Sequence, residues 1–388
     1  MNIGFASYFP PEINGCGDVT FNILADGPPQ AHQVTLYTTA KDPIPVAGMD
    51  ARHIRDLIDV DRPPHDEIVT VVSNGRHAEF YAAVLQRHGG IAHLHDGVLN
   101  HVFVGLWMSG KITRRQFFEI YEHWYGSEVR EYLEAVGGWW DQNQAYSITA
   151  IAEVIQYAKA VIVNSNFLRE RVARYFPDKP CEVIEQRYYD MPPRRRTSRA
   201  RKFRIGTFGF VHSNKGIDYI VEALSQLTDA QSIEFHIVGE GDLRYLRRIY
   251  KRLRKIKNGL KSSIKPGLSQ KQFLQEMADV DLAIQLRHPT FGETSSVCQR
   301  LLFANIPMLV SDTGYYAGLP DFVSKVDVPH EAADIRRKIE YFLEEKNYDA
   351  CIALNRAYST QHALTQPSYR DAYFDVISRL SRARKAVP

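Results

Sequence analysis

The sequence predicts an α/β protein of two domains, each built on a parallel sheet covered by helices. Short apolar runs alternate with segments of helical periodicity, the pattern that yields βαβ units. At 388 residues the chain exceeds one ordinary domain, for which roughly 150 residues suffice. A proline-led, densely basic stretch, MPPRRRTSRARK at 191–202, separates two sets of strand candidates and reads as an exposed linker.

In the first half NIGFAS, QVTLYT, EIVTVVS, IAHLH and AVIVNS read as strands, and in the second half FRIGTFGF, IEFHIVG, DLAIQL and PMLVSD. The predicted domains are therefore 1–190 and 203–365. A terminal segment, 366–388, spaces Tyr369, Tyr373, Val376 and Leu380 as one face of an amphipathic helix. It can pack back across the first domain or within the second.

Composition excludes several classes. Apolar residues make up 44% and charged residues 24%, ordinary for a globular chain, and the formal charge of +3 gives no global reason to expect nucleic acid. Cys16, Cys181, Cys298 and Cys351 lie far apart without a CxxC pair, so no zinc knuckle or disulfide framework is expected, and a cytoplasmic setting fits. The opening MNIGFASYFPP has neither a basic start nor a long apolar run and is not read as a secretion signal. No uncharged run is long enough to span a bilayer.

Open parallel sheets bind ligands beyond the carboxyl ends of their strands, so the loops there carry the search. After the first strand comes YFPPEINGCGDVTF, where Gly15 and Gly17 allow close backbone approach near the start of a helix. A dinucleotide-binding reading is weak, because the third glycine and an acidic tip on the second strand are missing. In the second domain Gly209 permits a tight turn, and Lys215 with Gly216 opens a helix, placing a point charge beside free amides as a diphosphate requires. The GxxxxGK[ST] order of a P-loop is absent. A lysine in an ordinary first helical turn is the plainer alternative.

RHPTFGETSS follows DLAIQL. Arg287 offers a planar fork for phosphate oxygens, and Gly292, Thr294 and Ser295 can present amides and hydroxyls at the start of the next helix. Glu293 would be repelled by phosphate, so it either accepts from sugar hydroxyls or caps the helix; capping is also open to Thr294.

The order YFPPEINGCGDV, VIVNSNF, IGTFGFVHSNKGIDYIVEAL, FHIVGEGD and DVDLAIQLRHPTFGETSSVCQRLLFANIPMLVSD resembles retaining glycosyltransferases of the GT-B fold, in the large group with glycogen synthases and mannosyltransferases. The resemblance covers nearly the whole chain. It implies two Rossmann-like domains facing a cleft, a nucleotide sugar held mainly by the second, and a glycan, lipid-linked or small-molecule acceptor held by the first. It also implies that Lys215 contacts the donor diphosphate, that Val238, Gly239, Glu240 and Gly241 lie beside the nucleoside, that His95 lies near the transferred sugar, and that Gly15 and Gly17 lie close to the phosphates. No metal or other cofactor is implied.

Two departures from the family pattern stand out. Phe210 occupies a position where many members carry arginine, and Gly292 and Arg300 stand where many carry paired glutamates. The chain is similar instead to an RxPTxGETSxxxxR subgroup, in which Arg287 and Arg300 would take phosphate contact and Glu293 would face the sugar.

Other constellations compete. His93 and His95 share one face of a strand and suggest a metal pair, without an obvious third ligand. DVD occurs at Asp59 and at Asp279 and resembles a metal-binding DxD, but Asp279 and Asp281 precede their strand. From Arg244 to Lys265 there are ten basic residues and no acids, with Leu243, Leu246, Tyr250, Leu253, Ile256 and Leu260 as an apolar stripe. Such a helix suits peripheral contact with an anionic membrane through residues 244–265, or a core-packed helix with a solvated basic face. Three readings of the whole follow: glycosyl transfer, another nucleotide-sugar reaction such as epimerisation or phosphorolysis, and noncatalytic binding to an anionic surface.

Overall fold

The computed structural model describes residues 1–9, 15–75, 77–135, 148–188, 190–192, 202–365 and 368–383. The chain divides into two compact units. One comprises Met1–Gln186, Phe291–Thr294 and Pro367–Pro388, the other Arg187–Thr290 and Ser295–Gln366. Most of the basic linker, 193–201, lies outside the described residues.

The first unit carries a sheet of seven strands: β1 (Asn2–Ala6), β2 (Gln33–Thr38), β3 (Asp50–His53), β4 (Glu67–Val72), β5 (Ile91–Leu94), β6 (Ala160–Val163) and β7 (Cys181–Val183). Their order is β3-β2-β1-β4-β5-β6-β7 and every pairing is parallel. The central strands β4, β5 and β6 are buried at every position. A parallel strand with helices on both faces has no wet side, which is why these segments are mostly apolar and their few polar members, such as Glu67 and His93, are buried too.

Helix Tyr369–Ala383 belongs to this unit. Tyr369, Tyr373, Val376 and Leu380 are buried, in one core with Ile3, Phe5 and Val69. Polar bonds fix its register. The Tyr373 hydroxyl lies 3.0 Å from His93 Nδ1, Asn164 Nδ2 donates to the Tyr369 hydroxyl at 3.1 Å, and Ser381 donates to Glu67, which also receives Lys159.

The second unit carries β8 (Phe203–Phe208), β9 (Ile233–Val238), β10 (Lys261–Lys265), β11 (Leu282–Gln285), β12 (Met308–Ser311) and β13 (Ser324–Val326). Their order is β10-β9-β8-β11-β12-β13, again parallel throughout. Both sheets thus contain the doubly wound order, in which the chain reverses direction across the sheet between its first and fourth strands.

Four strands, β3, β7, β10 and β13, were not expected, and they are the four sheet edges. Of these, β10 overturns part of a helical reading, because Lys261–Lys265 pairs with β9 rather than extending the basic helix. That helix spans Leu243–Leu253, and its buried stripe is Tyr245, Leu246, Ile249 and Leu253; Leu243 and Tyr250 face outward.

Candidate active site

In the second unit the strand order reverses between β8 and β11, so the loops that follow these two strands start side by side at the carboxyl end of the sheet. Lys215 comes from the first loop and Arg287 from the second. Lys215 ends a short 3-10 turn, Ser213–Lys215, just before helix Ile217–Ser225. It is buried, and its ammonium donates to the carbonyl of Phe208 at the tip of β8. The Arg287 backbone N–H donates to the Ser311 hydroxyl at 2.7 Å, while Nε and Nη1 reach the Tyr316 hydroxyl and Asn214 Oδ1, each at 3.4 Å.

The charges of Lys215 and Arg287 both act on the buried thiol of Cys298, in the first turn of helix Ser296–Phe303. Burial prevails over that attraction and raises the thiol to about 11. Two cations carried by separate loops therefore share one neighbourhood at a helix N-terminus, where the helix dipole also favours an anion.

Glycines make this end of the sheet compact. Gly209 follows β8 at φ 93° and Gly239 follows β9 at φ 139°. A Cβ on Gly239 would stand 2.2 Å from the Gly209 carbonyl oxygen, and one on Gly241 would stand 2.1 Å from that of Val211. Val211 N–H donates to the Glu240 carbonyl at 2.6 Å, lacing the two loops together. Glu240 itself is exposed, as is Phe210.

The RHPTFGETSS loop does not stay with one unit. Arg287 groups with the second, Phe291–Thr294 with the first, and Ser295 again with the second. Within the first unit Phe291 accepts from the Gly97 N–H at 2.6 Å, and Gly292, at φ 78°, has no room for a side chain beside Phe167. Glu293 is half-buried. Thr294 is buried, and its hydroxyl has no hydrogen-bond partner among the described residues. The cap of helix Ser296–Phe303 is Ser295, whose hydroxyl accepts the Cys298 N–H at 3.2 Å; neither Glu293 nor Thr294 occupies that position.

In the first unit Gly15 opens helix Gly15–Leu24, with Gly17 buried in its first turn; residues 10–14 of that loop lie outside the described residues. His95 follows β5 and is 8% exposed. Its Nδ1 lies 3.0 Å from Asp96 Oδ1, and the other oxygen of Asp96 accepts the Asn74 N–H at 2.7 Å.

His93 does not join His95. Its Nε2 bonds Asn164 Oδ1 at 2.8 Å and its Nδ1 the Tyr373 hydroxyl at 3.0 Å, so both nitrogens are engaged in the core and the metal-pair reading fails. The second DVD is structural as well: Asp281 accepts the Arg204 N–H at 2.8 Å and ties the start of β11 to β8. Among the described residues no cluster of histidine, cysteine and carboxylate suits a metal ion.

No protein-family model matches the chain, and no curated protein matches it in sequence. Solved structures do match over its whole length. HepE of Anabaena, in complex with UDP and glucose, superimposes with a TM-score of 0.64 at 15% identity, over 98% of this chain and 100% of that one. WaaG, a glycosyltransferase involved in lipopolysaccharide biosynthesis, gives 0.63 at 13%, over 97% and 99%. Sucrose-phosphate synthase from Thermosynechococcus elongatus gives 0.66 at 12%, over 98% and 99%. The chain has the GT-B fold.

Within this GT-B chain Arg300 pairs with a carboxylate and an aromatic ring. Its Nε and Nη2 donate to the Asp190 carboxylate at 2.9 and 2.8 Å, and its guanidinium lies 4.0 Å over the Tyr188 ring. Sequence reasoning missed His330, Ser311 and Asn214, which brace the Arg287 loop. Ser311 Oγ lies 2.7 Å from His330 Nε2, and the Asn214 carbonyl accepts the His288 N–H at 2.8 Å. A lone histidine in VPHEAAD carries no signal of this kind, since the strand before it, β13, has only three residues.

Proposed function

We propose that the chain is a retaining glycosyltransferase of hexosyltransferase type, which moves a sugar from a nucleotide-sugar donor to a glycan, lipid-linked or small-molecule acceptor. The observation that carries this reading is the convergence of Lys215 and Arg287 from the two loops at the strand-order reversal of the second unit. The fold supports it, and so do the ligands named for HepE, UDP and UDP-glucose, which make uridine diphosphate the first nucleotide to test.

In the reaction the bond between the anomeric carbon and the diphosphate oxygen breaks, leaving positive charge on the sugar and negative charge on the departing nucleoside diphosphate. The acceptor oxygen bonds to the anomeric carbon on the face the diphosphate leaves, and its proton passes to a phosphate oxygen. The configuration is retained, and no protein carboxylate pair or metal is needed. Cations and amides already fixed around the leaving group stabilise the charge that develops there.

Lys215 would neutralise the diphosphate as a point charge and Arg287 as a planar fork, with the amides at 296 and 297 completing the cradle. Gly209, Gly239 and Glu240 would border the nucleoside. The buried Thr294 hydroxyl, unpartnered among the described residues, and the Glu293 carboxylate would take sugar hydroxyls, and His95, oriented by Asp96, would meet the transferred sugar. We assign Arg300 to holding Asp190 and Tyr188 rather than to phosphate.

The test is a thermal-shift screen with uridine, guanosine, adenosine and cytidine diphosphates, followed by incubation with the matching sugar nucleotides, with and without a chelator. Ligand at about 100 times its Kd stabilises by about 2.7 kcal/mol, a clear shift. Stabilisation by one base and slow donor hydrolysis or transfer in chelator are expected. A chain indifferent to all four nucleotides would refute the reading.

A further inference from the structure

The basic stretch from Arg244 to Lys265 is not uniform. Arg248 and Arg252 each bond Asp218 at 2.7 Å, and Lys265 bonds Glu276 at 2.7 Å. The other seven cations are exposed and form no ion pair among the described residues. Four of them, Arg244, Arg247, Lys251 and Arg254, lie on or just beyond helix Leu243–Leu253.

At about 100° per residue these four fall within an arc of about 120°, and the same arc holds Leu243 and Tyr250. Leu243 is 69% exposed and Tyr250 52%. The buried stripe of Tyr245, Leu246, Ile249 and Leu253 occupies the opposite side, so packing accounts for one face of the helix and leaves the other unexplained. The Arg254 guanidinium lies 5.9 Å over the Tyr250 ring, which keeps the aromatic group among the charges.

We propose that this outer face of helix Leu243–Leu253 docks on an anionic lipid bilayer. The cations complement the phosphate headgroups, and Leu243 and Tyr250 enter the boundary between headgroups and acyl chains, where an aliphatic group and an amphipathic ring are both favoured. A nucleic-acid backbone would satisfy the charges but offer Leu243 nothing to bury against. No helix among the described residues is long and apolar enough to cross a membrane, so the contact is peripheral. The proposal is independent of how the nucleotide site is read.

The full chain is floated with vesicles of phosphatidylcholine alone and with vesicles containing phosphatidylglycerol as about one third of the lipid. Binding only to the second is expected, weakening as salt rises and shortens the Debye length. Each cation near such a surface contributes about a fivefold factor in partitioning, so the triple variant R247E/K251E/R254E should bind at least about a hundredfold more weakly. L243S/Y250S, with unchanged charge, should also lose binding. All these side chains are exposed, and unchanged circular dichroism verifies the fold. Equal binding to neutral vesicles, binding to neither, or binding unaffected by charge reversal would each overturn the proposal. So would a serine double variant that still binds fully, or duplex DNA bound in preference to vesicles, either of which would mark a general polyanion surface.

Discussion

The hydroxyl oxygen of Ser311 lies 2.7 Å from His330 Nε2 and accepts the backbone N–H of Arg287, also at 2.7 Å. Burial, with His288 nearby, lowers the His330 imidazole from 6.5 to about 4, so near pH 7 it is neutral and Nε2 can accept the Ser311 proton. That leaves the serine lone pairs for Arg287. His330 Nδ1 also stands 3.1 Å from the place a Cβ on Gly216 would take, next to Lys215. His330→Ala and Ser311→Ala should therefore each raise the Kd for the nucleoside diphosphate by about 5- to 30-fold, the worth of about 1–2 kcal/mol in hydrogen bonding. His330→Gln, which can still accept, should recover part of it. Calorimetric titration checks this; a lower melting temperature with an unchanged Kd would reduce both residues to packing.

Lys215→Ala should lower turnover by about two to three orders of magnitude, the usual cost of removing one fixed charge that stabilises a leaving group. A Cβ on Gly209 would stand 2.9 Å from the Lys215 Nζ, so this loop is shaped around the ammonium. Substrate saturation kinetics, with circular dichroism to verify the fold, decide the matter. Turnover within a factor of a few of the parent chain would remove Lys215 from the chemistry.

How much of this was legible in the sequence follows from where each residue sits. The nine expected strands lie at or beside the middle of their sheets, where burial on both faces writes an apolar run. β3, DARH, and β10, KSSIK, are edges with one neighbour and a wet flank, and nothing in their composition marks them. Lys215 and Arg287 were legible because their loops follow strong strands. Their bracing was not, because Ser311 and His330 reach them only through tertiary packing. The outward turn of Leu243 and Tyr250 was hidden as well, since the spacing also allowed them into the stripe and only packing chose Tyr245 and Ile249 instead.

His95 separates binding from transfer. Asp96 takes its Nδ1, and the carboxylate is held in turn by the Asn74 N–H, so the ring is oriented by its neighbours. If that ring serves the transferred sugar, His95→Ala should cut kcat by about 10- to 1000-fold while leaving nucleoside diphosphate affinity within about twofold of the parent. Asp96→Asn should show a weaker version of the same split. Parallel losses in turnover and nucleotide affinity would make His95 a structural residue.

His93 makes stability depend on pH. It is fully buried between Asn164 and Tyr373, and desolvation lowers its imidazole from 6.5 to about 4. The unfolded chain therefore takes up this proton at a higher pH than the folded chain does. The stabilisation is fully present above pH 6.5 and is lost as the pH falls toward 4. A separation of that size corresponds to roughly 2–3 kcal/mol over the window. Urea unfolding at pH 7 and pH 5 should show the loss, and His93→Gln, which cannot titrate but can still donate to Asn164, should flatten the difference between the two. Parent and variant losing the same stability between pH 7 and pH 5 would place the effect on other groups.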